Sequence, residues 1–63
     1  MRPNQIVIRR AELPAILGLS LPTIDRLRAS GDFPPARRLG RQAVGFLKTE
    51  VEAWLANRPV AAQ

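Results

Sequence analysis

Residues 18–31 read GLSLPTIDRLRASG, the pattern of a tight turn followed by a capped helix. Gly18 can take the positive φ that ends a preceding helix. Ser20 is an N-cap candidate, because its hydroxyl can accept a bond from an N–H group in the first turn of the next helix. Gly31 is a candidate for the position just after that helix ends. The segment therefore predicts a helix over about residues 21–30 and the layout of a helix-turn-helix.

The segment before the glycine turn predicts a short first helix over about residues 11–17. Pro14 requires the helix to begin close to residue 11, because proline is tolerated only in the first turn. Further upstream, the β-branched run Ile6-Val7-Ile8 predicts an edge strand or a strap packed on the core. The apolar stripe that supports the helix has i, i+3, i+4 spacing and consists of Leu13, Ile16 and Leu17.

Two short extended runs around a glycine-containing loop predict a β-hairpin over residues 36–47, with its tip at residues 40–42. Phe33, which precedes two prolines, is expected to fill the core. A hairpin with a basic tip beside a helix-turn-helix is the wing of a winged helix. The side chains expected to point inward from the hairpin are Leu39, Val44 and Phe46.

A third helix is predicted over about residues 50–57. Thr49-Glu50-Val51-Glu52 matches a capping box, which places Thr49 at the N-cap. Pro59 prevents the helix from continuing. The buried stripe of this helix is expected to contain Val51, Trp54 and Leu55.

These patterns predict one domain, mainly α with a small β-hairpin: a winged helix-turn-helix of three short helices plus a wing. Its 63 residues leave room for a single small core. Residues 6–58 form the predicted domain. Residues 1–5 are expected to be a flexible tail, because they carry a proline and polar groups and lack apolar periodicity, and residues 59–63 are expected to be a short C-terminal tail.

Composition excludes several functional classes. The chain has no cysteine and no histidine, so disulfides and the usual zinc sites have no ligands. No nucleophile–histidine pair can form, and the five acids suit surface positions better than acid–base catalysis. We therefore expect no enzyme, no catalytic residues, no metal and no cofactor. No apolar run approaches the roughly 20 residues that span a bilayer, and no secretory signal is visible, so the expected location is the cytoplasm.

The charge favours a nucleic-acid partner. Nine of the ten cations are arginine, the formal net charge is +5, and residues 20–48 hold six cations against two acids. We expect double-stranded DNA, with helix 21–30 in the major groove and the wing tip, residues 40–42, at the minor groove or a phosphate. The candidate DNA-binding residues are Ser20, Pro22, Thr23, Asp25, Arg26, Arg28, Arg37, Arg38, Arg41 and Gln42.

The candidates have different expected roles. Arg26 projects away from the Ile24 and Leu27 stripe and is the leading reader of a base, with guanine O6 and N7 as its natural target. Arg37 and Arg38 alternate across a strand, so only one of them can face DNA. Asp25 either accepts from a cytosine N4 or orients a neighbouring arginine such as Arg28, and the second role is favoured.

Four segments carry a resemblance to a known family. They are residues 18–27, with Gly-Leu-Ser, Thr-Ile and Arg-Leu; residues 31–34, Gly-Asp-Phe-Pro; residues 39–46, with Leu-Gly and Ala-Val-Gly-Phe; and residues 50–55, Glu-Val-Glu-Ala-Trp-Leu. In this order and spacing they resemble the AlpA family of short phage and prophage regulators, itself similar to MerR-type winged helices and phage excisionases. The resemblance covers about residues 8–58 and implies DNA binding by the second helix and the wing.

The chain departs from the family pattern on the second helix itself. A basic residue and a small hydroxyl usually stand at Leu21 and Pro22, an aromatic at Asp25, and an apolar residue followed by a basic one at Arg28 and Ala29. An arginine is common at the position of Leu47. Family preferences for particular DNA sites are therefore not carried over to this chain.

Two classes of function remain open. In the first, the chain is a sequence-specific DNA-binding protein of a mobile element, either a transcriptional regulator or an excisionase that directs an integrase. Several copies would bind adjacent sites cooperatively, because one small domain contacts few base pairs. In the second, the chain is a protein-interaction adaptor or anti-repressor whose Ile6-Val7-Ile8 strand augments a partner's sheet.

Overall fold

The computed structural model describes residues 6–61, so the predicted tail at residues 1–5 and the last two residues lie outside the described part. It shows three α-helices and a three-stranded antiparallel sheet, which confirms the predicted winged helix-turn-helix class. The elements in chain order are β1 (Val7–Ile8), a 3₁₀ turn (Arg10–Glu12), α1 (Leu13–Leu17), α2 (Leu21–Ala29), β2 (Arg37–Arg38), β3 (Val44–Leu47) and α3 (Lys48–Ala56).

The turn between α1 and α2 forms as its sequence predicts. Gly18 has φ 71°, and its N–H donates to the carbonyl of Pro14 at 2.8 Å, which ends α1. Ser20 is the N-cap of α2, and its Oγ accepts from the N–H of Thr23 at 3.3 Å. Pro14 and Pro22 both lie in first turns, where the missing N–H has no helical partner to lose.

The end of α2 is closed by a glycine in the left-handed region. Gly31 has φ 80° and its N–H donates to the carbonyl of Arg28 at 3.1 Å. The N–H of Asp32 donates back to the carbonyl of Leu27 at 2.9 Å. These two bonds form a Schellman motif, which satisfies carbonyls that the helix cannot pair internally.

The core joins all three helices to the sheet. Phe33 packs edge-on against Phe46, with ring centroids 5.5 Å apart, and lies 4.9 Å from the ring of Trp54. The indole N–H of Trp54 donates to the carbonyl of Asp32 at 2.6 Å, so the half-buried ring has its polar atom satisfied. The buried apolar side chains are Ile8, Leu13, Ile24, Phe33, Phe46 and Val51.

The sheet has the order β1-β3-β2. Ile8 faces Phe46 across one pair of strands, and Arg37 faces Gly45 across the other. The segment predicted as an edge strand or strap is therefore the edge strand β1. Phe46 points inward as expected, at 1% exposed.

Two other inward predictions for the hairpin are wrong, because Leu39 is 43% and Val44 is 55% exposed. Val44 shares the face of Phe46 by strand alternation but lies two residues nearer the wing tip, beyond the reach of the helices. Leu39 lies on the opposite face, over Gly45.

The predicted capping box of the third helix is also wrong. α3 begins at Lys48 with Leu47 as its N-cap, and no side chain caps it. The N–H of Lys48 donates to the carbonyl of Ile6 at 2.8 Å, so the chain passes from sheet to helix without a linker and Thr49 lies inside the first turn. Leu55 is 46% exposed rather than buried, because α3 presents only Val51 and Trp54 to the core.

Candidate nucleic-acid interface

The outward face of α2 is the part of the helix opposite the buried Ile24. Pro22, Arg26 and Ala29 are all exposed there, as the helical spacing predicts. Within residues 6–61, Arg26 forms neither an ion pair nor a side-chain hydrogen bond, so its five donors are available to a ligand. This face offers a ligand a single guanidinium set between two small apolar side chains.

The hydroxyls at the start of α2 bond to each other. Ser20 Oγ lies 2.9 Å from Thr23 Oγ1, in addition to accepting from the Thr23 N–H. Ser20 is exposed and Thr23 is half-buried. Both residues therefore support the helix start, and Ser20 retains hydrogen-bonding capacity toward solvent.

Asp25 accepts two hydrogen bonds from Arg10, a residue of the 3₁₀ turn that lies fifteen positions earlier in the chain. Arg10 Nη2 is 2.5 Å from Oδ2, and Arg10 Nε is 3.1 Å from Oδ1. Arg28 Nη1 lies farther away, at 3.7 Å from Oδ1. Asp25 therefore holds Arg10 more closely than it holds Arg28, the arginine that the sequence suggested it would orient. The hydrogen bonds from Arg10 and the positive charges of both arginines hold the pKa of Asp25 below its usual value.

Arg28 is also positioned by an aromatic ring. Its guanidinium carbon lies 5.2 Å from the ring centroid of Phe46, within the range of a cation–π contact. The side chain therefore lies along the flank of α2 toward the sheet, rather than on the outward face beside Arg26. The structure separates the two arginines that the sequence places two residues apart.

The arginines of the wing also differ from one another in whether a partner inside the domain holds the side chain. Arg37 donates through Nη2 to Glu50 Oε2 at 2.5 Å and through Nε to Glu50 Oε1 at 3.3 Å, which turns it toward α3. Arg38 and Arg41 are exposed and form no ion pair within the described part of the chain. Gln42, next to Arg41 in the turn, is exposed as well. Arg37 therefore has a partner inside the domain, and the expectation that only one of Arg37 and Arg38 faces DNA stays a prediction.

The sequence interpretation missed Arg10 as a partner of Asp25 and Glu50 as a partner of Arg37. Both pairs join residues more than a dozen positions apart, so no local spacing indicates them. The only sequence signal for these two pairs is that each joins opposite charges at positions that no local motif explains.

The described residues show no metal site and no membrane span. No cluster of three metal-ligating side chains occurs in residues 6–61, and none of the helices there has the length and apolar character of a membrane-spanning helix.

Comparison with known proteins places this geometry in a family. The family model described as "Prophage CP4-57 regulatory protein (AlpA)" matches residues 6–59, which include every described helix and strand from β1 to α3. The chain belongs to the AlpA family. This confirms the resemblance that the four sequence segments indicate.

A curated relative supports the AlpA assignment. The chain is 43% identical over 51 residues to the uncharacterized protein ORF88 of Enterobacteria phage P4. The matched region covers 81% of this chain and 58% of that relative, so the chain spans little more than half of the phage protein. No solved structure matches the chain.

Proposed function

We propose that this AlpA-family chain binds double-stranded DNA in a sequence-specific manner. α2 enters the major groove, and the wing tip at residues 40–42 contacts the minor groove or a phosphate. The observation that carries this proposal is the position of Arg26, which is exposed and without an ionic partner in residues 6–61, on the face of α2 opposite the core. An arginine in that position can donate two bonds to the O6 and N7 of a guanine.

The distribution of paired charges supports the same assignment. Asp25 on α2 and Glu50 on α3 are each engaged by an arginine of the domain. The cations left without such a partner in the described region include Arg26, Arg38 and Arg41. The surface around α2 and the wing therefore carries positive charge that can contact a phosphate backbone.

The proposal extends to cooperative binding by several copies. A domain whose reading helix has one arginine without an ion pair in residues 6–61 distinguishes few base pairs, since each good bidentate contact contributes about 1–3 kcal/mol of discrimination. Adjacent copies raise the effective concentration of one another on DNA and so supply the missing affinity. Such a protein acts in the bacterial cytoplasm, on the nucleoid.

Two biological roles fit this DNA-binding module. As an excisionase, or recombination directionality factor, it would bind the attachment site of a phage or integrative element and direct an integrase. As a transcriptional regulator, it would bind a promoter. Both act by occupancy and by DNA shape, and neither needs a catalytic or ligand-binding site.

The test is footprinting on the attachment region and on the promoters of the element that carries the gene. We expect protection of two or more adjacent repeats, with binding steeper than one-site behaviour. Protection at the attachment region, together with stimulated excision by the cognate integrase, identifies the excisionase role, and protection at a promoter alone identifies the regulator. A single isolated half-site bound without cooperativity contradicts the assembly part of the proposal.

The residue-level test compares Arg26→Ala with Arg41→Ala. We expect Arg26→Ala to cost about 1–3 kcal/mol in specific binding and to relax the preference at one base pair. Arg41→Ala should weaken binding equally on all sequences and reduce the salt slope by about one. A protein that binds no DNA even at low salt, or whose binding neither substitution alters, would favour the adaptor or anti-repressor function instead.

A further inference from the structure

An open groove lies between α2 and the segment that leads into the wing. Arg10, Asp25 and Arg28 line one side of it, and Phe33, Pro34 and Ala36 line the other. Ala36 directly precedes β2, so the groove separates the helix proposed for the major groove from the hairpin proposed for the minor groove.

The two arginines of the groove are fixed by one carboxylate. Asp25 holds Arg10 through two bonds and Arg28 through a longer contact, while the ring of Phe46 supports Arg28 from below. Both guanidinium groups remain accessible, with 49% of the Arg10 side chain and 37% of the Arg28 side chain exposed. The cluster carries one net positive charge, and three of the five N–H donors of Arg10 are not used by Asp25.

Three residues of the groove lining contribute no free backbone N–H group. Pro34 and Pro35 have no N–H groups, and the N–H of Gly31, which also lines the groove, is already bonded to the carbonyl of Arg28. The cationic side chains that line the groove are those of Arg10 and Arg28, and its apolar wall suits a sugar ring rather than a charged group.

We propose that this groove binds the sugar–phosphate strand that separates the major groove from the adjacent minor groove, with Arg10 and Arg28 contacting its phosphates. Asp25 is a positioning residue that holds both guanidinium groups toward the strand. The inference rests on the proposed DNA binding and adds Arg10, a residue outside the reading helix and the wing, to the interface. Two adjacent grooves of a duplex share one backbone, so a domain that occupies both must accommodate that backbone between its two elements.

The first experiment measures the salt dependence of DNA binding for Arg10→Ala. Loss of one phosphate contact should lower the slope of log K against log salt by about 0.9 and weaken binding uniformly across sequences. Arg58→Ala is the charge-matched control, because Arg58 stacks on Trp54 at 4.8 Å and does not line this groove. We expect Arg58→Ala to leave the slope unchanged. Arg10→Lys keeps the positive charge but not the planar guanidinium group, so it should keep most of the salt dependence.

The second experiment separates positioning from repulsion at Asp25. If the carboxylate only repels phosphates, Asp25→Asn tightens DNA binding. If it positions the arginine pair, the same substitution weakens binding and lowers the slope, although the protein becomes more positive. Glu52→Gln makes the same change of charge at an exposed residue that forms no ion pair within residues 6–61, and it should not weaken binding. In the Arg10→Ala background, Asp25→Asn should have a smaller effect than in the wild type.

The outcomes distinguish this inference from the proposed function. Wild-type binding with an unchanged slope in Arg10→Ala overturns the groove site and leaves DNA binding by α2 and the wing intact. Tighter binding by Asp25→Asn overturns the positioning role. Absence of wild-type binding at low salt overturns the proposed function itself. Thermal unfolding of each variant verifies that the fold persists, and Arg10→Gln, which removes the charge but keeps a polar side chain, supplies the result if Arg10→Ala does not fold.

Discussion

The guanidinium of Arg37 forks onto the carboxylate of Glu50, with Nη2 2.5 Å from Oε2 and Nε 3.3 Å from Oε1. This pair joins β2 of the wing to the first turn of α3. The two bonds and the positive charge of Arg37 hold the pKa of Glu50 below its usual value. The arginine is thereby committed to the domain, while its neighbour Arg38 is exposed and without an ion pair among residues 6–61.

The first prediction concerns stability against pH. Because the folded-state pKa of Glu50 lies below its unfolded value, its contribution to stability is complete above about pH 4.5 and is lost as the pH falls through the folded pKa. Glu50→Gln should therefore be less stable than the wild type at pH 7, and the difference should shrink at pH 3. Thermal melts at both pH values measure this. Glu52→Gln on the same helix breaks no ion pair with the described residues 6–61 and serves as the control, and an undiminished deficit of Glu50→Gln at pH 3 would contradict the assignment.

The second prediction separates the two arginines of β2. Arg38→Ala should weaken DNA binding and reduce the salt slope by about one, because the side chain has no competing partner within the described chain. Arg37→Ala should change the slope less, since its guanidinium is already engaged by Glu50. Titrations at several salt concentrations test both variants. Equal slopes for the two variants would show that the Arg37–Glu50 pair opens on DNA.

The third prediction concerns close packing on the outer face of the sheet. A Cβ at Gly45 would lie 2.5 Å from Val7 Cγ1 and 3.1 Å from Leu39 Cδ1. Gly45→Ala should destabilise the domain by about 1–3 kcal/mol, because the β-branched Val7 cannot rotate aside cheaply. Gly40→Ala is the matched control, since nothing lies within 4 Å of its added Cβ.

A second substitution, at Val7, should relieve the close contact that Gly45→Ala creates. Val7→Ala removes the closest atom, so it should recover part of the stability that Gly45→Ala loses, and chemical denaturation of the double variant measures the coupling. Additive losses in the double variant would argue that the contact between residues 7 and 45 is not the cause.

The fourth prediction concerns the start of α2. Ser20→Ala removes the acceptor for the Thr23 N–H and should cost about 1 kcal/mol of stability. Ser20→Asp should retain the cap, because aspartate is an equally good N-cap residue. Unfolding free energies of the two variants decide this. If both variants lose the same stability, the hydroxyl does not act as a cap.

The sequence predicted the parts of this fold that depend on neighbours along the chain. The turn at Gly18, the cap at Ser20 and the closure at Gly31 each involve residues within five positions, and all three are confirmed. The start of α3 was misplaced because strand pairing with residue 6 competes with the Thr49 cap, and that pairing is tertiary.

The candidate site was predictable to a smaller extent. The exposure of Arg26 follows from helical spacing, and the structure agrees. The partners of Asp25 and Arg37 could not be predicted, because each lies more than a dozen positions away and depends on how the elements pack. Predicted burial of Leu39, Val44 and Leu55 was wrong for a related reason: a domain this small has too few layers to cover every apolar residue.

The position of β3 in the middle of the sheet has a consequence for the order of folding. Pairing of Arg37 with Gly45 closes a short hairpin loop, whereas pairing of Ile8 with Phe46 closes a loop about five times as long. The longer closure costs about 1.4 kcal/mol more in chain entropy. We therefore expect the helix-turn-helix and the hairpin to form first from local contacts and β1 to dock last, which would complete the core around Ile8.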